Sequence, residues 1–114
     1  MKLVNITQGQ TLSHRVRVAQ SVWQRMRGLI GTKTMADDEV FWIPQCQGVH
    51  TFAMVFPIDV VFLDGQGTVL KIDPGMLPNR IGPVCWKARS VLELPGGAAK
   101  RYKLGIGNKL CWQE

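Results

Sequence analysis

Phe56-Pro57-Ile58-Asp59-Val60-Val61-Phe62-Leu63-Asp64-Gly65-Gln66-Gly67-Thr68-Val69-Leu70-Lys71-Ile72 decides the fold. The run from Phe56 to Leu63 is rich in β-branched and aromatic residues, which suit a pleated, buried surface. Asp64-Gly65-Gln66-Gly67 then breaks it with turn chemistry, the glycines supplying positive backbone angles, and Thr68 to Ile72 returns as a second strand. The stretch is therefore a β-hairpin. Gly65-x-Gly67 is its turn and not a phosphate loop, because neither a helix nor a lysine follows in the needed register.

Working outward, the same period of two recurs on both sides. Upstream, Val40-Phe41-Trp42-Ile43 is a short apolar strand stopped by Pro44, which cannot donate to a ladder. Residues 31–38 read as a loop. Before them Ser21-Val22-Trp23-Gln24 matches a capping box and predicts a short helix over about residues 22–29, with Val22, Trp23, Met26, Leu29 and Ile30 as its apolar stripe. Val4 and Ile6, and then Arg15 to Ala19, alternate as two early strands. Downstream, Asn79 to Arg89 reads as a glycine- and proline-bearing loop. Ser90 to Leu94 is a strand ended by Pro95-Gly96-Gly97, Ala98 to Leu104 holds a helical turn or two, and Lys109 to Trp112 closes the chain as a last strand. The expected fold is mainly β, a β-rich α+β chain with one or two short helices.

Composition sets the bounds. A chain of 114 residues, 46% hydrophobic and 19% charged, fits one compact domain over residues 1–114. No apolar run is long enough to span a bilayer. The first residues lack the apolar core and small-residue cleavage site of a secretory signal, so a cytoplasmic location is expected. Three cysteines cannot all pair within the chain, and reduced thiols follow. The net charge of +6 is spread over Arg15, Arg17, Arg25, Arg27, Lys87, Arg89, Lys100, Arg101 and Lys103 without a long block. That is read as a solvated basic surface. Nucleic acid is not favoured as a partner, since no RNA-recognition signature or finger spacing accompanies the charge.

The order of the pieces also carries a resemblance. His50-Thr51-Phe52-x-Met54-x-Phe56-Pro57-Ile58-Asp59-Val60-Val61-Phe62-Leu63-Asp64, a later Pro78-Asn79-Arg80, Val91-Leu92-Glu93-Leu94-Pro95-x-Gly97, Gly105-Ile106 and the earlier Arg27-Gly28-Leu29 together resemble the domain-of-unknown-function family 192. The resemblance covers about Ala19 to Leu110. It implies a single β-sandwich or barrel of jelly-roll type, and it implies no activity. Two positions depart from the pattern. Asn108 stands in Gly107-Asn108-Lys109-Leu110 where an acidic residue is expected, and Val55 follows Met54 where a basic one is expected. The first change is mild if the side chain only caps a turn, because Asn and Asp both accept from nearby backbone donors.

The polar residues inside this apolar segment are the candidates for function, since burying a polar side chain without partners costs a few kcal/mol. His50 titrates near neutrality and could serve as a base or a ligand, though a satisfied structural histidine is the favoured reading. Asp59, between Ile58 and Val60, needs donors if its face is buried, and Arg80 could supply them through two parallel hydrogen bonds. Thr51 and Met54 lie beside them. Trp86 joins the set because it sits in the 79–89 loop, and loops carry ligand contacts more often than frameworks do. Trp23, Trp42 and Trp112 read as packing material.

Cys46-x-x-x-His50, with Cys85 or Cys111, invites a zinc reading, but only one close spacing is present and buried free thiols are favoured. No metal or cofactor is assigned. The leading expectation is a binding module whose cleft, ringed by His50, Thr51, Met54, Asp59, Arg80 and Trp86, takes a small polar or anionic ligand or a partner peptide. One alternative is a hydrolase- or lyase-like enzyme with His50 as general base. The other is a protein-interaction domain that uses its basic face, with Arg15, Arg17, Arg25 and Arg27.

Overall fold

The computed structural model describes residues 1–18, 38–45, 48–50, 57–76 and 81–114. Among them the chain forms strands β1 (Lys2–Asn5), β2 (Gln10–Ser13), β3 (Arg15–Val18), β4 (Glu39–Pro44), β5 (Gly48–His50), β6 (Ile58–Leu63), β7 (Val69–Met76), β8 (Ile81–Val84) and β9 (Ser90–Pro95). A four-residue helix α1 (Ala98–Arg101) and strand β10 (Leu110–Gln113) follow. The fold is mainly β. The segment predicted as a helix at 22–29 and, but for Asp38, the loop predicted at 31–38 lie outside the described residues.

The hairpin read from the sequence is the centre of the largest sheet, whose order is β3-β4-β9-β6-β7. β6 is flanked by a strand on each side, and all six of its residues are buried. A strand covered on both faces reads as a continuous apolar run rather than an alternation, which is why 58–63 looks as it does. Its two faces feed two cores. Ile58, Val60 and Phe62 pack with Phe41, Ile43 and Val91, whereas Val61 and Leu63 pack with Val40, Leu92 and Leu94. The second core is closed by the three-stranded sheet β10-β1-β2, which contributes Leu3, Leu12 and Leu110. A third pair, β5 with β8, is antiparallel and matches His50 to Ile81. Every pairing is antiparallel except β3 with β4, which run parallel from Arg15↔Glu39 to Val18↔Trp42.

Three expectations change. The first strand is Lys2–Asn5, and Leu3 and Asn5 are the buried positions while Ile6 is half exposed. The alternation of Val4 and Ile6 therefore marks the outer face, and a slip of one residue inverts the assignment of every side chain. Next, β2, β5 and β8 were not foreseen. They are three or four residues long, and β8 contains Gly82 and Pro83, which mask the strand signal. Finally, of the two hairpin glycines only Gly67 has a positive φ, +83°. A Cβ at Gly67 would sit 2.2 Å from the Leu110 carbonyl oxygen. The turn is docked that closely on the start of β10, where the Leu110 N–H donates to the Gly67 carbonyl at 2.8 Å.

β7 runs four residues beyond the predicted Ile72, through Pro74. Proline is tolerated because β7 is an edge strand of the sheet.

Candidate functional site

Asp59 is fully buried on β6 and shares its face with Val61 and Leu63. Its Oδ1 accepts the Gly75 N–H at 2.7 Å and the Gly97 N–H at 3.1 Å, and its Oδ2 accepts the Ala99 N–H at 2.8 Å. Gly97, the residue preceding α1, has φ +89° and no side chain with which to cap the helix. Asp59 supplies that cap from a distant strand, because the first N–H groups of a helix have no partner within it. Among the described residues, the donors to this buried carboxylate are backbone groups of β7, of Gly97 and of α1, and Arg80 lies outside the described residues. Its site within the apolar motif is accounted for by architecture.

The remaining members of the anticipated cleft divide between two situations. His50 ends β5 opposite Ile81, and Thr51, Met54, Arg80 and Cys46 lie outside the described residues. Trp86 stands in the turn closed by the Ala88 N–H to the Cys85 carbonyl, with the side chain 78% exposed. Cys85 and Cys111 are half-buried free thiols, and no group of three metal-ligating side chains occurs among the described residues. At the C-terminal departure from the motif, Asn108 Oδ1 accepts from the Gly105 N–H at 3.0 Å and from Asn5 Nδ2 at 3.0 Å. The position caps a turn and ties it to β1, tasks within reach of Asn and Asp alike.

A cavity of about 450 Å³ opens between the end of β4, the β6–β7 turn and β10. Leu3, Leu63 and Leu110 give it an apolar side. Trp42 and Trp112 stand together there, ring centroids 4.7 Å apart and planes tilted by 47°. Trp42 Nε1 is buried and has no hydrogen-bond acceptor among the described residues. Asp64 and Arg89 bring opposite charges to the lining. Asp64 Oδ1 accepts the N–H groups of Thr68 at 2.9 Å and Gln66 at 2.8 Å. The Thr68 N–H above all holds this carboxyl below its usual range; burial opposes it, and Gln66, Lys109 and Gly67 each lower it further. Gln45, also in the lining, adopts φ +56°, an uncommon conformation for a residue with a Cβ. No pattern in the sequence signals this groove. Trp42 and Trp112 were read as core, and both are indeed half-buried against it, but they meet across 70 residues of chain, a juxtaposition no local pattern encodes.

The opposite face of the large sheet holds the group that sequence reading passed over. Glu93, on β9, is paired with Phe41 and Val60 and only 3% exposed. Its Oε2 is buried without a hydrogen-bond partner among the described residues. Burial pushes the carboxyl up to about 8, opposed only in part by Arg17. Arg17 lies on the same cross-strand row, with its guanidinium 5.6 Å from the centroid of the intervening Phe41 ring. A signal did exist, since an acidic residue between Leu92 and Leu94 in a strand with no polar alternation has no solvent face to occupy.

Comparison with known proteins places this arrangement among relatives. Over 115 residues the chain is 30% identical to a UPF0127 protein of Thermococcus sibiricus, covering 97% of this chain and 74% of that one. Over 114 residues it is 31% identical to a UPF0127 protein of Pyrococcus horikoshii, covering 96% and 97%. A crystal structure of a protein of unknown function from Novosphingobium aromaticivorans superposes with a TM-score of 0.85 at 22% identity, over 98% of this chain and 84% of that one, a likeness of fold. The profile of the family DUF192, described as Uncharacterized ACR, matches residues 4–112, nearly the whole chain. By that match and by the relatives' identity, the chain belongs to the domain-of-unknown-function family 192.

Proposed function

We propose that this protein is a small-ligand-binding module and that the groove walled by Trp42 and Trp112 is where it binds. The carrying observation is the cavity itself, which at about 450 Å³ falls in the range of small-molecule sites and has their make-up, mostly apolar with a few polar groups. Trp42, Leu3 and Leu63 offer a flat and an aliphatic surface to a ring, and Asp64 and Arg89 offer charge for orientation. The ligand expected from the sequence, small and polar, is kept, but the place is moved from Asp59, whose carboxylate is engaged by three backbone N–H groups.

The test is a fragment screen by NMR on the full chain, with a set that includes neutral, acidic and basic rings. Binders are expected to shift the indole resonances of Trp42 and Trp112 and to lose affinity in Trp112→Ala. A screen in which no fragment moves either indole, or in which every binder is indifferent to Trp112→Ala, refutes the proposal.

A further inference from the structure

We infer that the groove takes an extended, acidic peptide segment of a partner protein, which adds to β10 as an antiparallel strand and places one large apolar side chain in the cavity; the inference rests on the reading of the groove given above. Its first support is the direction of the backbone along β10. The sheet order β10-β1-β2 leaves β10 on an edge. In an antiparallel ladder, pairs that exchange both N–H···O bonds alternate with pairs whose groups point the other way. The Ile6 N–H donates to the Lys109 carbonyl at 2.8 Å, and the register runs on without a shift through Val4↔Cys111 and Lys2↔Gln113. Those pairs carry the bonds of the ladder, so the N–H and C=O of Leu110 and Trp112 point away from β1. At Leu110 this is seen directly, since its N–H meets the Gly67 carbonyl at 2.8 Å. The β6–β7 turn thus stands where a neighbouring strand would stand, and it stops there. Trp112, two residues on, turns a donor and an acceptor the same way, and no backbone group among the described residues meets them.

The second support is independent of the first. Sheet edges are commonly guarded against added strands by charge, proline or a bulge. Of the other edges of the two main sheets, β3 carries the exposed Arg15 and Arg17, β7 carries Pro74 and register shifts, and β2 meets β1 through a register shift. β10 reads Leu-Cys-Trp-Gln in an unshifted register and has none of these guards. The cavity lies along this stretch, since Gly67, Leu110, Cys111 and Trp112 all line it. Residues opposite each other across a ladder share a face, so the peptide residue facing Trp112 sets its side chain beside that ring, where Trp42, Leu3 and Leu63 wall the space. Its two neighbours point to the other face, which selects one apolar residue between polar ones. The chain carries a net charge of +6, and around this edge Lys2, Arg89 and Lys109 outnumber Asp64 and Glu114, so acidic residues suit the flanks. A second copy paired edge to edge fits less well, because its own β10 commits Leu110 and Trp112 to its own core and leaves the cavity unfilled.

The experiment follows amide exchange of the full chain by NMR at pH 7, alone and with the peptide acetyl-Glu-Thr-Phe-Thr-Glu-amide. In the chain alone, the N–H groups of Cys111 and Gln113 are expected to be protected and that of Trp112 unprotected at every protein concentration. Near saturation the peptide is expected to slow exchange at Trp112 about tenfold, because pairing places its N–H in a ladder. N-methylation of the peptide's Phe removes the donor to the Trp112 carbonyl and should weaken binding about tenfold, whereas N-methylation of the Thr after it, whose amide faces away from β10, should not. Replacing the Phe by Ala, or both Glu by Lys, should also weaken binding. Protection of Trp112 in the chain alone overturns the inference, with a second copy as the occupant if that protection grows with protein concentration. Binding that leaves exchange at Trp112 unchanged, or that tolerates the N-methylated Phe, overturns strand addition while leaving the groove as a ligand site. Equal or tighter binding of the lysine-flanked peptide overturns the acidic partner. Failure of the peptide to bind overturns the inference too, and the separate fragment screen then decides whether the groove binds anything.

Discussion

Replacing Glu93 by Gln removes an ionisable group from the interior while keeping shape and polarity, and the size of its effect depends on pH. In the folded chain the carboxyl is raised to about 8 from an ordinary 4.5. A raised folded pKa means that the native state holds a proton which the unfolded state has released, so stability is full below about pH 4.5 and is lost as pH rises toward 8. Each pKa unit corresponds to about 1.4 kcal/mol, and between pH 5 and pH 8 the wild type should lose about 3 kcal/mol through this one group. The Gln variant has no proton to lose. Urea unfolding at pH 5, 6, 7 and 8 measures both proteins, and the other titrating groups cancel in the difference between them. The two should lie within about 1 kcal/mol of each other at pH 5, with the variant the more stable by about 2–3 kcal/mol at pH 8 and with unchanged slope in urea. Parallel curves for the two proteins would refute the argument, since they would mean that Glu93 ionises in the folded chain as freely as in the unfolded one.

Three further outcomes follow from the described contacts. Asp59→Ala strips the acceptor from three buried N–H groups and should cost about 3 kcal/mol or more in urea unfolding, whereas Asp59→Asn, which keeps one acceptor oxygen, should cost less. Gly67→Ala asks for a Cβ 2.2 Å from a backbone oxygen at φ +83°, so the turn and β10 must part. A loss of about 2 kcal/mol or more is expected, with lowered amide-exchange protection at Leu110. Asn108→Asp should change stability by less than about 0.5 kcal/mol, because either side chain accepts from the Gly105 N–H, while Asn108→Ala should cost about 1–2 kcal/mol. Equal costs for the two Asn108 variants would contradict the capping role.

The sequence by itself determined the elements whose signals are local. The β6–β7 hairpin, the strand stopped by Pro44, the strand ended by Pro95-Gly96-Gly97 and the last strand were all legible, because hydrophobic period and turn residues act over a few positions. It also placed a buried carboxylate at Asp59 and asked for its donors. Only the tertiary structure could say that those donors are the N–H groups of Gly75, Gly97 and Ala99, since backbone groups are the same at every residue and leave no mark in the sequence. The parallel pairing of β3 with β4, the inward face of β1 and the short strands β2, β5 and β8 were likewise decided by partners far along the chain. The groove is the clearest case. Trp42, Asp64, Arg89 and Trp112 are unremarked singly, and their chemistry as a set exists only because β4, β6, β9 and β10 bring them to one edge of the molecule. Local propensity selects strands, but a binding surface is built from separations in sequence that only the packing of the sheets brings together.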